Sequence, residues 1–239
     1  MVDERRGYGV GYQLLNTASF DQSEVDFALG LLSLRHQYFG PGVVTLDCGA
    51  NVGVHTLEWA KHMHNWGSVI AIEAQERIYY ALVGNIAINN CFNATAVWGA
   101  VGRENEEIKI PAPNYLAPSS FGSLELKQSA SNEYIDQAID YSEGSMVSAQ
   151  QRAIDSFGLE RLDFIKIDVE GMEVDVLDGA SGVIQAFLPI MMIEIASDKP
   201  QIESMLKALG YEIFPVGINI LAVHASDPAL QQVRQADRA

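Results

Sequence analysis

One segment near the start of the chain, residues 43–53, constrains the fold more than any other. It reads VVTLDCGANVG, an apolar run that ends in Asp47 and is followed by glycines at 49 and 53. A buried strand that leads into a glycine turn and then a helix is typical of nucleotide-binding α/β folds. Glycine lets the backbone approach a ligand, and the helix N-terminus offers free N–H groups. The segment therefore predicts a parallel sheet with a ligand bound at this turn.

The spacing of the glycines indicates which ligand the turn accepts. Dinucleotide-binding turns more often read Gly-x-Gly-x-x-Gly, whose second glycine clears space for a pyrophosphate. Here Ala50 and Asn51 occupy that space. A nucleoside cofactor without a pyrophosphate fits better, and S-adenosylmethionine is the cofactor that we expect. A nicotinamide cofactor bound to an oxidoreductase is the alternative.

Composition narrows the class of protein and of partner. A chain of 239 residues with a formal charge of −16 is long enough for one α/β domain and too acidic to favour nucleic acid. We expect a small-molecule or glycan acceptor instead. No apolar run reaches membrane-spanning length, and the N-terminus lacks the apolar core of a signal peptide. With only two cysteines, the chain is expected to be cytoplasmic.

Strand and helix patterns alternate from residue 43 onward, which predicts parallel strands joined by crossover helices. Two strand-like runs, 211–216 and 219–224, flank Gly217 and predict a closing antiparallel hairpin. The expected fold is α/β and Rossmann-like, a mostly parallel seven-stranded sheet with a C-terminal antiparallel hairpin and helices on both faces. The other predicted strands are 43–48, 68–73, 94–98, 107–110, 163–169 and 190–195, and the crossover helices are about 54–63, 77–89 and 173–187, with a further helix from 198 to Gly210.

The alternating pattern breaks over residues 103–150, which hold one short predicted strand and a segment, 119–123, that reads SSFGS. So long an irregular insertion is usually functional, although a simple surface excursion is the alternative to a substrate-binding lid or edge. The expected organisation is an N-terminal helical extension at 1–40, a single domain at 41–226 containing this insertion, and a C-terminal tail at 227–239.

The N-terminal extension is expected to hold one helix, at about 22–39. Asp21 and Glu24 have the spacing of a capping box at its start. The helix is interpreted as packing over an edge of the sheet. Contact with the substrate or with a second subunit is the alternative, and a homo-oligomer is compatible with the sequence.

The ends of the second and third strands predict the rest of the cofactor pocket. Glu73 closes strand two, where a carboxylate can accept both hydroxyl hydrogen bonds of a ribose, or can simply favour the following helix dipole. Ala74 and Gln75 would then lie along the adenosine. Gly99 and Ala100 follow strand three, where small residues suit an adenine ring or merely form a turn.

Charged residues follow one another in a strand that should be buried. Lys166, Asp168 and Glu170 alternate with apolar residues within 163–173, so a strand would place them on one face. Charges in a central parallel strand are costly unless they are paired or functional. A structural Lys166–Asp168 ion pair is one interpretation. The other is a functional site, because the carboxylates should emerge at the cofactor end of the sheet.

Two further residues complete the candidate catalytic set. Glu194 is an acid inside the apolar run 190–195, and with Asp168 and Glu170 it could form an acidic cluster. Such a cluster serves as a general base or holds a divalent cation, and the sequence leaves both open. His55 starts the first crossover helix, where it could move a proton or simply be exposed.

Three of these segments together resemble the FkbM-type methyltransferases. The similar segments are 46–56, 70–74 and 163–173, the last followed by LDGA at 177–180, and the similarity runs from about Gly42 to His224. The resemblance implies a class I methyltransferase fold and S-adenosylmethionine-dependent O-methylation of a sugar, glycan or natural-product hydroxyl. The predicted cofactor-binding residues are Asp47, Cys48, Gly49, Ala50, Asn51, Gly53, Thr56, Glu73, Ala74, Gln75, Gly99, Ala100 and Asp168.

The expected reaction is in-line methyl transfer to a hydroxyl whose proton a base removes. Asp168 is the first choice of base, with Glu170 or Glu194 assisting, and a positioned base typically contributes about 10²–10⁴-fold. Besides the oxidoreductase alternative, a module that binds the cofactor without catalysis is considered. The candidate catalytic residues are Asp168, Glu170, Glu194, Lys166 and His55, and the first three are also the ligands of any divalent metal.

Overall fold

The computed structural model describes residues 10–17, 20, 22–129, 132–195 and 198–236. Its main sheet has seven strands in the order β3-β2-β1-β7-β8-β10-β9. Pairing is parallel from β3 through β8, and β10 is antiparallel to both β8 and β9. The predicted fold class is confirmed. The strands are β1 Val43–Cys48, β2 Gly67–Glu73, β3 Ala94–Trp98, β4 Ala100–Val101, β5 Glu106–Pro111, β6 Met146–Arg152, β7 Phe164–Ile167, β8 Ile190–Glu194, β9 Tyr211–Val216 and β10 Asn219–His224.

Helices cover both faces of this sheet, and each face has its own apolar core. One core packs α2, α3, α4 and α8 against the sheet, and the other packs α5, α6 and α7. Apolar side chains on both faces are what central parallel strands require. The helices are α1 Val10–Thr17, α2 Gln22–Phe39, α3 Val54–His62, α4 Glu76–Ile88, α5 Glu173–Gly179, α6 Ser181–Phe187, α7 Lys199–Ala208 and α8 Leu230–Ala236.

The insertion is more regular than the sequence predicts. Its expected strand, 107–110, extends to Glu106–Pro111 and pairs with an unpredicted strand, β6. With β4 they form a second sheet in the order β4-β6-β5. The sequence of β6 is mostly polar and its side chains are mostly exposed, so it lacks the apolar alternation that indicates a strand.

Both ends of the chain hold helices that the sequence analysis missed. Helix α1 precedes α2, and the segment expected to be a tail contains α8, whose Leu230 and Val233 are buried in the core beside α2. Asp21, half of the expected capping box, lies outside the described residues. Among the described residues, no helix is long and apolar enough to cross a membrane.

The helix predicted at 173–187 is divided into α5 and α6. A side chain at Gly179 would place its Cβ 2.0 Å from the Gly102 carbonyl oxygen, so the second sheet presses closely on the end of α5. The strand predicted at 163–169 is shorter than expected. It ends at Ile167, and Glu170 adopts a positive φ of 51°, so Asp168 and Glu170 lie in a turn and do not continue the strand.

Candidate active site

A cavity of about 600 Å³ opens at the carboxyl ends of the parallel strands, where such sheets bind ligands. Its volume is within the range of small-molecule sites. Among the predicted residues, those that line it are Gly49, Ala50, Asn51, His55, Glu73, Ala74, Gln75, Gly99, Ala100, Lys166, Asp168, Glu170 and Glu194.

The glycine turn is fixed between two strand ends. The N–H groups of Gly49 and Ala50 donate to the Ile72 carbonyl at 3.0 and 2.9 Å, which ties the turn to β2. On the other side, a Cβ at Gly49 would lie 1.7 Å from the Asp168 carbonyl oxygen, and the residue has a φ of 83°. Only glycine allows this close approach, so the turn and the end of β7 form one continuous wall.

Glu73 lies in this wall and has both carboxylate oxygens bonded to backbone. Asn51 N donates to Oε2 at 3.0 Å and Gln75 N donates to Oε1 at 2.7 Å. These two hydrogen bonds lower the pKa of Glu73, but burial has the larger effect and raises it to about 7. The acid therefore supports the start of α4, and it also lines the cavity.

Four predicted cofactor residues lie behind the wall and do not line the cavity: Asp47, Cys48, Gly53 and Thr56. Thr56 Oγ1 donates to Asp47 Oδ2 at 2.5 Å, and both residues are buried. This hydrogen bond connects the end of β1 to the first turn of α3. These residues shape the turn from within the protein.

A row of polar side chains crosses the sheet beside the cavity. Asp47 pairs with Lys166 across β1 and β7, and Glu194 pairs with Asn219 across β8 and β10. Lys166 Nζ donates to Asp168 Oδ2 at 2.5 Å. Burial lowers the pKa of Lys166, but the negative charges of Asp168 and Asp47 raise it by more than burial lowers it. The side chain therefore remains a cation.

The three predicted carboxylates do converge, and their protonation differs. Burial raises the pKa of Asp168, but the Lys166 charge and a hydrogen bond with Glu194 lower it below its usual value. The same hydrogen bond, with burial, raises the pKa of Glu194 to about 9. Burial and the Asp168 charge raise the pKa of Glu170 to about 8. At neutral pH one carboxylate is ionised and two carboxyls hold protons.

The carboxyl cluster consists of the three residues that were predicted as ligands of any divalent metal. In the described part of the chain, no group of three or more His, Cys, Asp or Glu side chains is placed to hold a metal ion. Asp168 is bonded to Lys166 and Glu194 instead. Of the three carboxyls, Asp168 is paired with the Lys166 cation and Glu194 also lies within the influence of its charge.

His55 is buried, contrary to the interpretation that it is exposed, and it contacts a residue that the sequence analysis did not place in the site. Its Nε2 atom lies 3.0 Å from Glu24 Oε1 of α2. Asn219 Nδ2 of β10 donates to Glu24 Oε2 at 2.7 Å. Glu24 and Asn219 both line the cavity. Their sequence neighbourhoods gave no signal of this, because their proximity arises only from tertiary packing.

The insertion closes over the cavity through the segment 119–124, all of which lines it. Gln75 Nε2 donates to the Phe121 carbonyl at 2.7 Å, and Tyr115 OH donates to Gln75 Oε1 at 3.1 Å. A Cβ at Gly122 would lie 2.5 Å from Asn51 Nδ2. Gln75, expected to lie along the adenosine, therefore uses its side chain to hold this segment over the glycine turn.

Comparison with known proteins shows the family of the chain. The sequence pattern described as the methyltransferase FkbM domain matches residues 47–213. The chain belongs to the FkbM methyltransferase family. Its members are S-adenosylmethionine-dependent methyltransferases. Gly49 and Glu73 both line the cavity of this chain.

Relatives of this FkbM methyltransferase are distant. Methyltransferase sdnD of Sordaria araneosa is 25% identical over 193 residues, covering 70% of this chain and 73% of the relative. Methyltransferase 1 of Beauveria bassiana is 22% identical over 180 residues, covering 70% and 72%.

Solved structures share the fold. An FkbM methyltransferase from Methylobacillus flagellatus KT has a TM-score of 0.54 at 18% identity, over 77% of this chain and 44% of that chain. The chain thus spans less than half the length of that protein. A putative caffeoyl-CoA O-methyltransferase from Staphylococcus aureus has a TM-score of 0.52 at 11% identity, over 86% and 85% of the two chains.

Proposed function

We propose that this FkbM methyltransferase is an O-methyltransferase acting on a hydroxyl of a sugar, glycan or natural-product acceptor. The observation that carries the proposal is that one cavity is lined both by the cofactor residues Gly49 and Glu73 and by the polar residues His55, Asp168 and Glu194. A hydroxyl is a weak nucleophile until its proton is being removed, so it needs such polar groups. An acceptor that is already nucleophilic does not.

S-adenosylmethionine, when bound, supplies the methyl group: the new C–O bond forms as the C–S bond breaks and a thioether leaves. Glu73 would hold the ribose, and the turn at Gly49 would lie against the methionine portion. The segment 119–124 covers the site and limits the access of water.

The electrostatics of the carboxyl cluster suggest how it assists. Asp168 is ionised and its pKa is low, so it is a weak base but a fixed negative charge suited to the cationic sulfonium. Glu170 and Glu194, with pKa values of about 8 and 9, hold protons at neutral pH. The Glu194 proton is shared with Asp168, whereas Glu170 can donate its proton to orient the oxygen of an acceptor. Cytoplasmic location and a homo-oligomeric state stay predictions.

The test is to follow the transferred carbon. The protein is incubated with S-adenosylmethionine labelled with ¹³C in the methyl group and with hydroxylated acceptors, including methyl glycosides and glycosylated polyketides. We expect a new methoxy carbon signal in the ¹³C spectrum. An N-methyl or S-methyl signal would contradict O-methylation. Glu73→Ala should lose transfer, whereas Glu76→Ala, an exposed glutamate in the next helix, should retain it.

A further inference from the structure

We propose that Glu24 of the N-terminal helix is a positioning residue that orients His55, and that His55 is the base that removes the acceptor's proton. This inference rests on the proposed function. It assigns a catalytic part to α2, which lies outside the matched residues 47–213.

Three elements that are distant in the sequence bring this pair together. Glu24 comes from α2, His55 from the first turn of α3, and Asn219 from the start of β10. Glu24 spans the other two: Oε1 lies 3.0 Å from His55 Nε2, and Oε2 accepts from Asn219 Nδ2 at 2.7 Å. A carboxylate held by an amide on one side and an imidazole on the other has a fixed orientation.

The charge state of Glu24 fits this role. Burial raises its pKa, but the hydrogen bond with His55 and the charge of Lys166 lower it below the usual value. Glu24 therefore remains an acceptor. Nε2 lies 3.0 Å from Glu24 Oε1 without hydrogen-bond geometry, and a small rotation of the ring would direct an Nε2 proton at this carboxylate. The Nδ1 atom of a neutral His55 is then the nitrogen that can take a proton. The acceptor's hydroxyl proton would move to Nδ1, and the Nε2 proton would stay with Glu24.

The surrounding packing limits movement of the pair. The His55 ring lies 5.5 Å, centroid to centroid, from the fully buried ring of Trp59. Helix α2 is fixed further along by Arg35, which is bonded to Asp163 and Asp227 in a buried ion-pair network. Glu24 is thus carried by an anchored helix, and its contact with His55 is not a chance surface contact.

The competing candidate for the base is the carboxyl cluster. Asp168 is bonded to Lys166 and Glu194 and has a low pKa, so a hydroxyl proton has little tendency to move to it. Glu194 already holds a proton at neutral pH, since its pKa is about 9. His55 instead contacts the Glu24 carboxylate, whose negative charge stabilises the imidazolium that forms.

The first measurement is the tautomer of His55, read from long-range ¹H–¹⁵N correlation spectra of histidine-labelled protein. We expect the neutral ring to carry its proton on Nε2. Glu24→Gln should weaken that preference, because Asn219 takes one oxygen of Glu24 and glutamine has only one to offer. The control Asp26→Asn, an exposed residue of the same helix, should leave the spectrum unchanged. An Nδ1–H tautomer in the parent protein would overturn the proposal.

The second measurement is kinetic and uses the acceptor found with ¹³C-labelled cofactor. We expect His55→Ala to lower kcat by roughly 10²–10⁴-fold and Glu24→Gln by about 10-fold or more. In the His55→Ala background, Glu24→Gln should have no further effect, because it acts through the missing ring. An equal effect in both backgrounds, or full kcat in His55→Ala, would overturn the proposal.

The tautomer measurement also separates positioning from mere support of the fold. A variant that only loses stability keeps the tautomer of the parent protein, whereas loss of the Glu24 carboxylate should change it. Because the tautomer measurement needs no acceptor, failure of O-methylation would be recognised separately from failure of this inference.

Discussion

The two walls of the cavity are built from different kinds of contact. The first, which we propose faces the cofactor and call the cofactor wall, is formed by the turn at 49–51 and by 73–75. Its backbone N–H groups donate to the Ile72 carbonyl and to the Glu73 carboxylate at the end of β2. The second, which we propose faces the acceptor and call the acceptor wall, is formed by Glu24, His55, Asn219 and 119–124 and is held by side chains from distant segments. Sheet geometry thus fixes the first wall, whereas the second can change with single substitutions. A family can in this way keep its cofactor and vary its acceptor.

Lys166 lines the cavity beside both walls, and replacing it should have the largest effect. The side chain is buried and neutralises Asp168 and Asp47. Lys166→Met leaves those carboxylates without their cation, which typically costs about 3–5 kcal/mol of unfolding free energy. Urea unfolding measures this. The control Lys61→Met removes an exposed pair with Glu58 and should cost less than about 1 kcal/mol. Equal losses of unfolding free energy in both variants would contradict the stabilising role of the buried Lys166 charge.

The cofactor wall alone is tested by Gly49→Ala. The added Cβ would lie 1.7 Å from the Asp168 carbonyl oxygen at a φ of 83°, so the turn must move. We expect S-adenosylmethionine to bind at least about 100-fold more weakly, a change of roughly 2.7 kcal/mol. Calorimetric titration measures the affinity. Gly30→Ala, whose Cβ meets nothing within 4 Å, should bind normally. Normal binding of S-adenosylmethionine by Gly49→Ala would contradict the proposal that the turn is part of the cofactor site.

The carboxyl cluster, whose Glu194 pairs with Asn219 of the acceptor wall, is tested by the pH dependence of stability in Glu194→Gln. In the unfolded chain this carboxyl ionises near the ordinary glutamate pKa of 4.5, whereas in the folded protein it keeps its proton up to a pKa of about 9. Between these values the unfolded state binds fewer protons, so stability falls as pH rises. Glutamine has no proton to lose and can still donate to Asp168.

At about pH 8 the Tm of Glu194→Gln without cofactor should therefore exceed that of the parent, by roughly 2–4 °C for each kcal/mol that this proton linkage costs the parent protein. Near pH 4 the advantage should vanish, since both forms are then neutral. Thermal unfolding at several pH values measures the difference. The partly exposed control Glu203→Gln should show no gain at pH 8, because its ion pair with Lys207 is lost. A pH-independent difference for Glu194→Gln would contradict the shared proton.

The smallest effect is expected where the two walls touch. A Cβ at Gly122 would lie 2.5 Å from Asn51 Nδ2, the end of a side chain that can rotate. Gly122→Ala should weaken cofactor binding by less than about 10-fold. Gly144→Ala, which meets nothing within 4 Å, is the matched control. A complete loss of binding in Gly122→Ala would mean that the segment 119–124 is part of the cofactor wall.

The cofactor wall was largely predictable because its residues lie in two short segments at the ends of neighbouring strands. The glycine turn directly follows β1 and Glu73 closes β2, and parallel pairing brings the two strand ends together. The convergence of Lys166, Asp168 and Glu194 was predictable for the same reason. The division of the helix at 173–187 was not predicted, although Gly179 and Gly182 lie beside the break between α5 and α6.

The acceptor wall could not be predicted in the same way. Glu24 looked like a helix-capping residue, and Asn219 like the first residue of a hairpin strand. Only the packing of α2 over the sheet and the Asn219–Glu194 register place them beside His55. Strand β6 was missed because its residues are polar, and α8 because a short terminal segment gives little periodic signal.

The separation of the two walls is tested most directly by calorimetric titration of S-adenosylmethionine into the parent protein, Glu73→Ala and Glu24→Gln. NADH serves as the control ligand. The account predicts similar affinity in the parent protein and Glu24→Gln, binding at least about 100-fold weaker in Glu73→Ala, and no binding of NADH. Equal losses in both variants would contradict separate walls, and binding of NADH alone would contradict the cofactor site itself.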